Sequence, residues 1–212
     1  LSYGIWPTLS KVHHEGISKI SFLDIAYARE LNYKIKLLAI VKKEKNTLDL
    51  RVHPTLVSEG NPLSGVLSAF NAVYFDTYPA GDLLFYGEGA GGIPTSSSVI
   101  SDIVSISSGG GPFCRKEENI RIKNIKEIKT RYYIRFMAQD RPGVLAKISK
   151  ILSSLQISIA SVTQKERRRG KFVPIIMITH EAVENNIREA LSIIDRFSLI
   201  KKPSRFIRIE NL

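Results

Sequence analysis

Cysteine is almost absent from this 212-residue chain: Cys114 stands alone, so no intrachain disulfide can form. That usage fits a reducing cytoplasm. Cys114 has Arg115 and Lys116 beside it but no histidine in its segment to serve as a base, so it reads as an inert linker thiol. Missing too is any apolar run approaching the ~20 residues that a bilayer-spanning helix needs. Residues 1–7 lack the basic stretch and apolar core of a secretory signal. No metal set is visible: His13, His14, His53 and His180 fall in separate segments and no cysteine joins them. Nor does any nucleophile stand near a base, so no catalytic residue is assigned.

Acidic residues are the scarcer charge, 20 against 31 basic, for a net of +11. The excess is uneven. Residues 1–108 carry 9 basic and 10 acidic side chains, residues 109–130 carry 6 and 3, and residues 131–212 carry 16 and 7. The densest cluster, Arg167, Arg168 and Arg169, precedes Gly170 and reads as a solvated hairpin tip. No aromatic residue alternates with those arginines to stack on bases, which argues against a nucleic-acid surface.

What is present is enough apolar sequence, 43%, for one or two packed domains. Residues 21–31 predict a helix capped by Ser21, with Asp24 three residues on as in a capping box and Asn32 ending it. Residues 34–42 and 48–57 predict a hairpin, with Pro54 marking an edge or a bulge. Lys34 and Lys36 flank its apolar core and read as solvated. After an apolar stretch at 66–75 come a turn at 78–81, a short strand at 82–86, a glycine-rich loop at 87–95 and a helix at 96–106. That helix carries Val99, Ile103 and Ile106 on one face. Ser107-Ser108-Gly109-Gly110-Gly111-Pro112 is the clearest linker, and the sequence to 130 has little periodicity. Then follow a strand (132–138), a helix (144–155), a hairpin (157–165 and 172–179), a helix (181–196) and a strand (206–209). That order, βαββαβ, is a ferredoxin-like plait, a size of ~80 residues that can fold alone.

Two motifs carry chemistry. Gly87, Gly89 and Gly92 satisfy G-x-G-x-x-G between a strand and a helix, where close backbone approach and a helix N-terminus favour a phosphate. The helix runs into a linker, however, and no second strand bears the acidic residue of a dinucleotide fingerprint. The loop therefore reads either as a structural turn or as a contact to a cofactor held mainly elsewhere. The second motif is Asp140-Arg141-Pro142-Gly143-Val144-Leu145 at a strand-to-helix turn. Free helix N–H groups there can hold a carboxylate, and Asp140 can cap the helix or bind an α-ammonium group; a capped turn with no ligand explains the same residues.

Beyond these patterns, the sequence resembles a known family. Glu15-Gly16-Ile17-Ser18-Lys19-Ile20, Asp24, Ala28-Arg29-Glu30-Leu31, Ile35-Lys36-Leu37-Leu38-Ala39 and Arg51-Val52-His53-Pro54-Thr55-Leu56 follow the homoserine dehydrogenase pattern. So do Asn61-Pro62-Leu63, Phe70-Asn71-Ala72-Val73 and the most specific block, 85–95, Phe-Tyr-Gly-Glu-Gly-Ala-Gly-Gly-Ile-Pro-Thr. The resemblance covers nearly all of 1–108, and 131–209 resembles the ACT domain that many such enzymes carry.

The resemblance implies a fold of α+β and α/β character: part of a catalytic domain, a mixed sheet with helices and a return to the nucleotide-binding domain, over 1–108. A linker at 109–130 and an ACT regulatory domain at 131–212 follow. It implies an oxidoreductase using NAD or NADP to interconvert L-homoserine and L-aspartate 4-semialdehyde, on the path to threonine, methionine and isoleucine. Gly91 matches the family's cofactor-contacting glycine, with Gly89 and Ala90 beside it; Asp140, Gly143, Val144 and Leu145 would hold threonine or a related effector. It implies a cytoplasmic homodimer or homotetramer with no nucleic-acid or membrane partner. The family's Rossmann fingerprint, catalytic Lys and homoserine-binding Asp and Glu match nothing here and are expected upstream of Leu1, which would leave this chain inactive alone. Two departures stand out: Glu88 where many members have Pro, and His13-His14 ahead of the Glu-Gly-Ile block. The rival reading is a non-enzymatic amino-acid-binding ACT protein in which 1–108 is a relic.

Overall fold

The computed structural model describes residues 3–110, 120–165 and 170–210. Cys114, the end of the linker at 111–112 and the Arg167–Arg169 tip lie outside them. The chain forms two compact units, one of residues 1–7 and 59–118, the other of 8–58 and 119–212.

In the larger unit a strand β1 (His13–His14) precedes helix α1 (Phe22–Glu30), the hairpin β2 (Tyr33–Glu44) and β3 (Thr47–Ser58) follows, and β6 (Arg121–Ile122) leads into the plait. The plait is β7 (Lys129–Gln139), α3 (Val144–Ser154), β8 (Ile159–Thr163), β9 (Phe172–Thr179), a two-residue β10 (Ala182–Val183), α4 (Glu184–Ile194) and β11 (Ile200–Glu210). In the smaller unit β4 (Phe70–Thr77) and β5 (Gly81–Glu88) pair as an antiparallel hairpin, and α2 (Gly92–Ser107) follows.

Local sequence accounts for most of these elements. Ser21 Oγ accepts from the Asp24 amide at 3.3 Å while Asp24 Oδ2 accepts from the Ser21 amide at 3.0 Å, completing the expected capping box. Asn32, at φ 60°, ends the helix in the left-handed region. Lys45 (φ 51°) and Asn46 close the β2–β3 hairpin between Glu44 and Thr47. α4 starts three residues later than expected, because Ala182 and Val183 pair with Thr130 and Lys129 before the helix begins.

The strands assemble into one nine-stranded sheet, ordered β1-β3-β11-β7-β9-β8, with β2 and β6 also on β3 and β10 on β7. Within it β11-β7-β9-β8 is the strand order of a ferredoxin-like plait. β3 extends that plait by pairing in parallel with β11, Thr55 opposite Arg208 and Val57 opposite Glu210. Pro54 is therefore neither at an edge nor in a bulge, as expected from sequence. β3 is flanked on both sides, and on the parallel side Pro54 falls between β1, which ends opposite Val52, and β11, which begins opposite Thr55. A residue without an N–H is tolerated where no neighbour needs that donor.

Strand alternation sorts the sheet into two cores. Tyr132, Ile134, Phe136 and Ala138 of β7, with Ile175 and Met177 of β9, pack on Val144, Ile148 and Leu152 of α3 and Ile187, Leu191 and Ile194 of α4. The opposite face presents Tyr133, Ile176, Ile178, Ile207, Ile209 and Leu56, and α1 covers it with Tyr27 and Ala28. In the smaller unit Phe70 stacks on Tyr86 at 4.8 Å, but Val99, Ile103 and Ile106, the apolar stripe of α2, are each more than half exposed.

Replacing Ser21 by Ala removes the cap of α1 and a hydroxyl bonded to Asp24. Urea denaturation is expected to show a loss of about 1–2 kcal/mol, and an unchanged midpoint would mean that α1 does not depend on its capping box.

Candidate functional site

The expected cofactor loop is shorter than the sequence suggested. Gly87 and Glu88 belong to β5, and α2 begins at Gly92, so only Gly89–Gly91 is loop. The glycines of the fingerprint-like pattern are not equivalent. A side chain at Gly87 or Gly92 would meet nothing within 4 Å, whereas at Gly89 it would overlap the Asn71 amide. Gly91, outside the pattern, adopts φ 124°, open to glycine alone without strain, and its carbonyl accepts from Thr95 N and Thr95 Oγ1. β5 pairs only with β4, antiparallel, among the described residues, so no βαβ unit surrounds the loop. Ala90 and Gly91 are exposed at the start of α2, and Pro94 contributes no N–H to that helix terminus. This geometry suits a backbone contact to one part of a nucleotide.

The second site gathers at one end of β7. Asp140 continues the ladder, its amide donating to Lys171 O at 2.9 Å and its carbonyl accepting from Gly170 N at 3.2 Å. Gly143, at φ 84°, is the N-cap of α3, and no side chain caps that helix. Asp140 thus does not cap it, contrary to one of the two roles its position allowed, because the ladder holds it three residues before the cap. Asp140 Oδ1 lies 3.4 Å from Gln164 Nε2, while the buried Oδ2 has no partner among the described residues. Val144 is buried in the plait core and Leu145 is partly exposed. The four residues adjoin at this turn; the Val144 amide, the first of α3, reaches Arg141 O at 3.4 Å, and the amides that follow it in the first turn have no intrahelical acceptor.

Sequence reasoning missed a buried ionic cluster. Arg208, 1% exposed, sends Nε and Nη2 to the two carboxylate oxygens of Glu184 at 2.5 and 2.7 Å, and Nη1 and Nη2 to Glu15 at 3.3 and 3.0 Å. Arg188 joins Glu184 at 2.8 Å, and His13 Nε2 lies 2.8 Å from Glu15. Alongside, Arg51 Nη2 bonds Glu210 at 2.5 Å and Lys42 bonds the same carboxylate at 2.7 Å. On the other face of the sheet Asp24 takes Arg135 Nε at 2.6 Å, Arg135 Nη2 at 3.1 Å and the Tyr133 hydroxyl at 3.2 Å. The one available signal was alternation: Arg51, His53 and Thr55 share a face of β3, and Arg208 and Glu210 one of β11. That pattern ordinarily marks a face turned to water.

Burial alone would raise the Glu15 carboxyl, but bonds from His13 and Arg208 outweigh it and hold the group well below the usual carboxylate range. The same balance, with Arg135 and Ser21 as donors, lowers Asp24. His53, fully buried, is pushed down to about 3 by desolvation and by the neighbouring Arg208 charge. Its Nδ1 lies 3.0 Å from Thr55 Oγ1, and its Nε2 is buried without a partner. Arg208, Glu184 and His53 are shut away from solvent, while Glu15 and Arg188 are each over a third exposed. A cavity of about 640 Å³ does open between residues 10–14 and 120–125. Of its basic side chains, Arg121 pairs with Glu127 and Lys123 with Glu44, His13 lies against Glu15, and Lys11 and His14 line it as well. No group of three or more potential metal ligands occurs among the described residues, and no helix there is long and apolar enough to cross a membrane.

Comparison with known proteins adds what the geometry cannot. Residues 1–104 match the family model for homoserine dehydrogenase, and residues 132–196 that for the ACT domain. A homoserine dehydrogenase of Neisseria gonorrhoeae is 34% identical over 227 residues, covering 100% of this chain and 51% of that protein. One of Corynebacterium glutamicum is 36% identical, covering 96% and 47%. The crystal structure of a homoserine dehydrogenase from Thiobacillus denitrificans superposes with a TM-score of 0.87 at 35% identity, over 98% of this chain and 49% of that one. Homoserine dehydrogenase structures from Staphylococcus aureus share the fold, one with a TM-score of 0.67 at 23% identity. The chain spans about half the length of the relatives it matches.

The depressed His53 has a consequence in solution. Its folded pKa of about 3 lies below the ordinary value of 6.5, so protonation favours the unfolded chain. The stability due to neutral His53 is complete above pH ~6.5 and declines below it by up to about 1.4 kcal/mol per pH unit, levelling off near the folded value. The lowered carboxyls of Glu15 and Asp24 act in a separate window, below pH ~4. Urea midpoints at pH 7.5 and pH 5 should therefore drop less in His53→Gln than in the parent; equal drops would show that His53 does not carry the dependence.

Proposed function

This chain belongs to the homoserine dehydrogenase family over residues 1–104 and carries an ACT domain over 132–196, and on that premise we propose that it works as part of an NAD(P)-dependent enzyme interconverting L-homoserine and L-aspartate 4-semialdehyde. The observation that carries the reading is the match of nearly the whole chain, in sequence and in fold, to enzymes of that name. NAD or NADP supplies the hydride acceptor when bound. In this chain the exposed Ala90 and Gly91 offer it backbone, beside Gly89 over which the Asn71 amide lies, and the φ of 124° is why glycine stands at position 91. The remainder of the nucleotide site, and the residues that take the hydroxyl proton, belong to sequence other than these 212 residues. We assign 1–108 to the catalytic and nucleotide-domain return, 109–130 to a linker and 131–212 to regulation. The chain would work in the cytoplasm, within threonine, methionine and isoleucine biosynthesis.

Asp140, Gly143, Val144 and Leu145 form the effector site in this reading, for threonine or a related amino acid. The α-carboxylate meets the free amides at the start of α3, and the α-ammonium meets Asp140, whose buried Oδ2 has no donor among the described residues. β2 pairs only with β3, and β8 only with β9, among the described residues. Such edges suit assembly with a second copy as a homodimer or homotetramer.

Two experiments test this. Homoserine-dependent reduction of NAD and NADP is expected to be undetectable with the 212-residue chain and to appear when the chain is extended at its N-terminus; turnover by the chain alone would mean that the catalytic residues have been misplaced. Calorimetric titration with L-threonine is expected to show binding that Asp140→Ala weakens about tenfold, the loss of one charge-assisted hydrogen bond. Equal affinity in that variant would remove Asp140 from the site.

A further inference from the structure

A regulatory domain appended by a linker would keep its own core and its own ion pairs. This plait keeps one core between its sheet and α3 and α4, but its second core and its buried ion pairs are shared with residues 8–58. β11 is held on one side by β7 and on the other by β3, in register from Thr55–Arg208 to Val57–Glu210. The plait face that carries Tyr133, Ile176, Ile178, Ile207 and Ile209 is closed by Tyr27 and Ala28 of α1. Each of three ion-pair systems takes one partner from residues 8–58 and another from residues 120–210: Glu15 with Arg208 and Glu184, Arg51 with Glu210, and Asp24 with Arg135.

Opening one segment while the other stays folded would part Asp24 from Arg135 and Glu210 from Arg51 and Lys42, leave Arg51 with Asp49 at 3.3 Å, and bare the α1 face to water. A buried charge that loses its partner costs far more than the pair gains over water, so such half-open states are suppressed. When intermediates are suppressed, opening becomes all or none.

We infer that residues 8–58 and 120–210 form one cooperative folding unit fastened by Arg208, so that the ACT plait is not a detachable module and a ligand held by the plait stabilises the 8–58 segment equally. The first half of this stands on the fold alone; the second rests in addition on the effector reading given above. The coupling needs no change of shape, because a ligand that binds only the folded unit stabilises everything that unfolds with it.

Hydrogen exchange followed by mass spectrometry on the whole chain through a urea series decides it. The amides of β3 should share one opening equilibrium and one urea slope with those of β7 and β9. Glu15→Gln keeps the shape of a side chain that is 36% exposed and leaves Arg208 its Glu184 partner, so the variant folds. It should speed exchange in all three strands by the same factor, on the order of tenfold. Separate openings for β3 and for β7–β9, or an effect of Glu15→Gln confined to residues 8–58, would overturn the inference. L-threonine at saturation should then protect both segments. Protection confined to 120–210 would break the claimed linkage. Protection nowhere would defeat the effector reading, while the urea series would still decide whether the unit is one.

Discussion

The guanidinium of Arg208 is the constraint on which the larger unit depends. Burying a cation this completely is unfavourable unless carboxylates surround it, and two do: Glu184, from the first turn of α4, and Glu15, from the segment after β1. Phe206, two residues away on the same strand face, lies under the Arg208 and Arg188 guanidinium groups at 5.4 and 5.5 Å, so the cluster also has an aromatic floor. Such an arrangement contributes little net stability compared with apolar packing, yet losing the fully buried partner, Glu184, costs about 3–5 kcal/mol. Its effect is therefore on arrangement: it dictates which strand lies beside β11 and in which register.

The same chemistry explains the uneven charge. The last third of the chain carries most of the basic excess, and several of those cations face acids of the first third rather than solvent. Arg208 meets Glu15, Arg135 meets Asp24, and Lys165 meets Glu30 at 2.6 Å. Lys42, from the first third, meets Glu210 in return. The basic character of the plait is thus in part the complement of the segment packed against it, and it requires no polyanion.

Local structure was largely legible because its causes are local. Ser21, Asp24 and Asn32 bracket α1 through hydrogen bonds and a left-handed residue within three positions of each end. The plait order followed from the succession of short apolar runs and helical segments between 132 and 209, each read from neighbouring residues. Pro54 misled because a proline marks an edge only when both flanks of a strand are continuously paired; here the gap between β1 and β11 receives it. At the candidate sites, Gly89 was found by pattern and Gly91 by the family resemblance, but which glycines are sterically required depends on Asn71 and on the local φ, neither of which spacing contains. The capping role of Asp140 stayed open for a similar reason: capping and ligand binding need the same residue type, and only the ladder to Lys171 excludes the cap.

By itself the sequence determined the element order, the caps, the plait and the kinship with a dehydrogenase, because each rests on residues near one another in the chain or on a pattern shared with relatives. The tertiary structure alone decided that the polar faces of β3 and β11 are buried, that α1 roofs the plait, and that Asp24 and Glu15 are paired structural groups. Alternation tells which residues share a face, but whether that face meets water or another segment depends on contacts between residues more than a hundred positions apart, as Asp24 with Arg135 and Glu15 with Arg208 show.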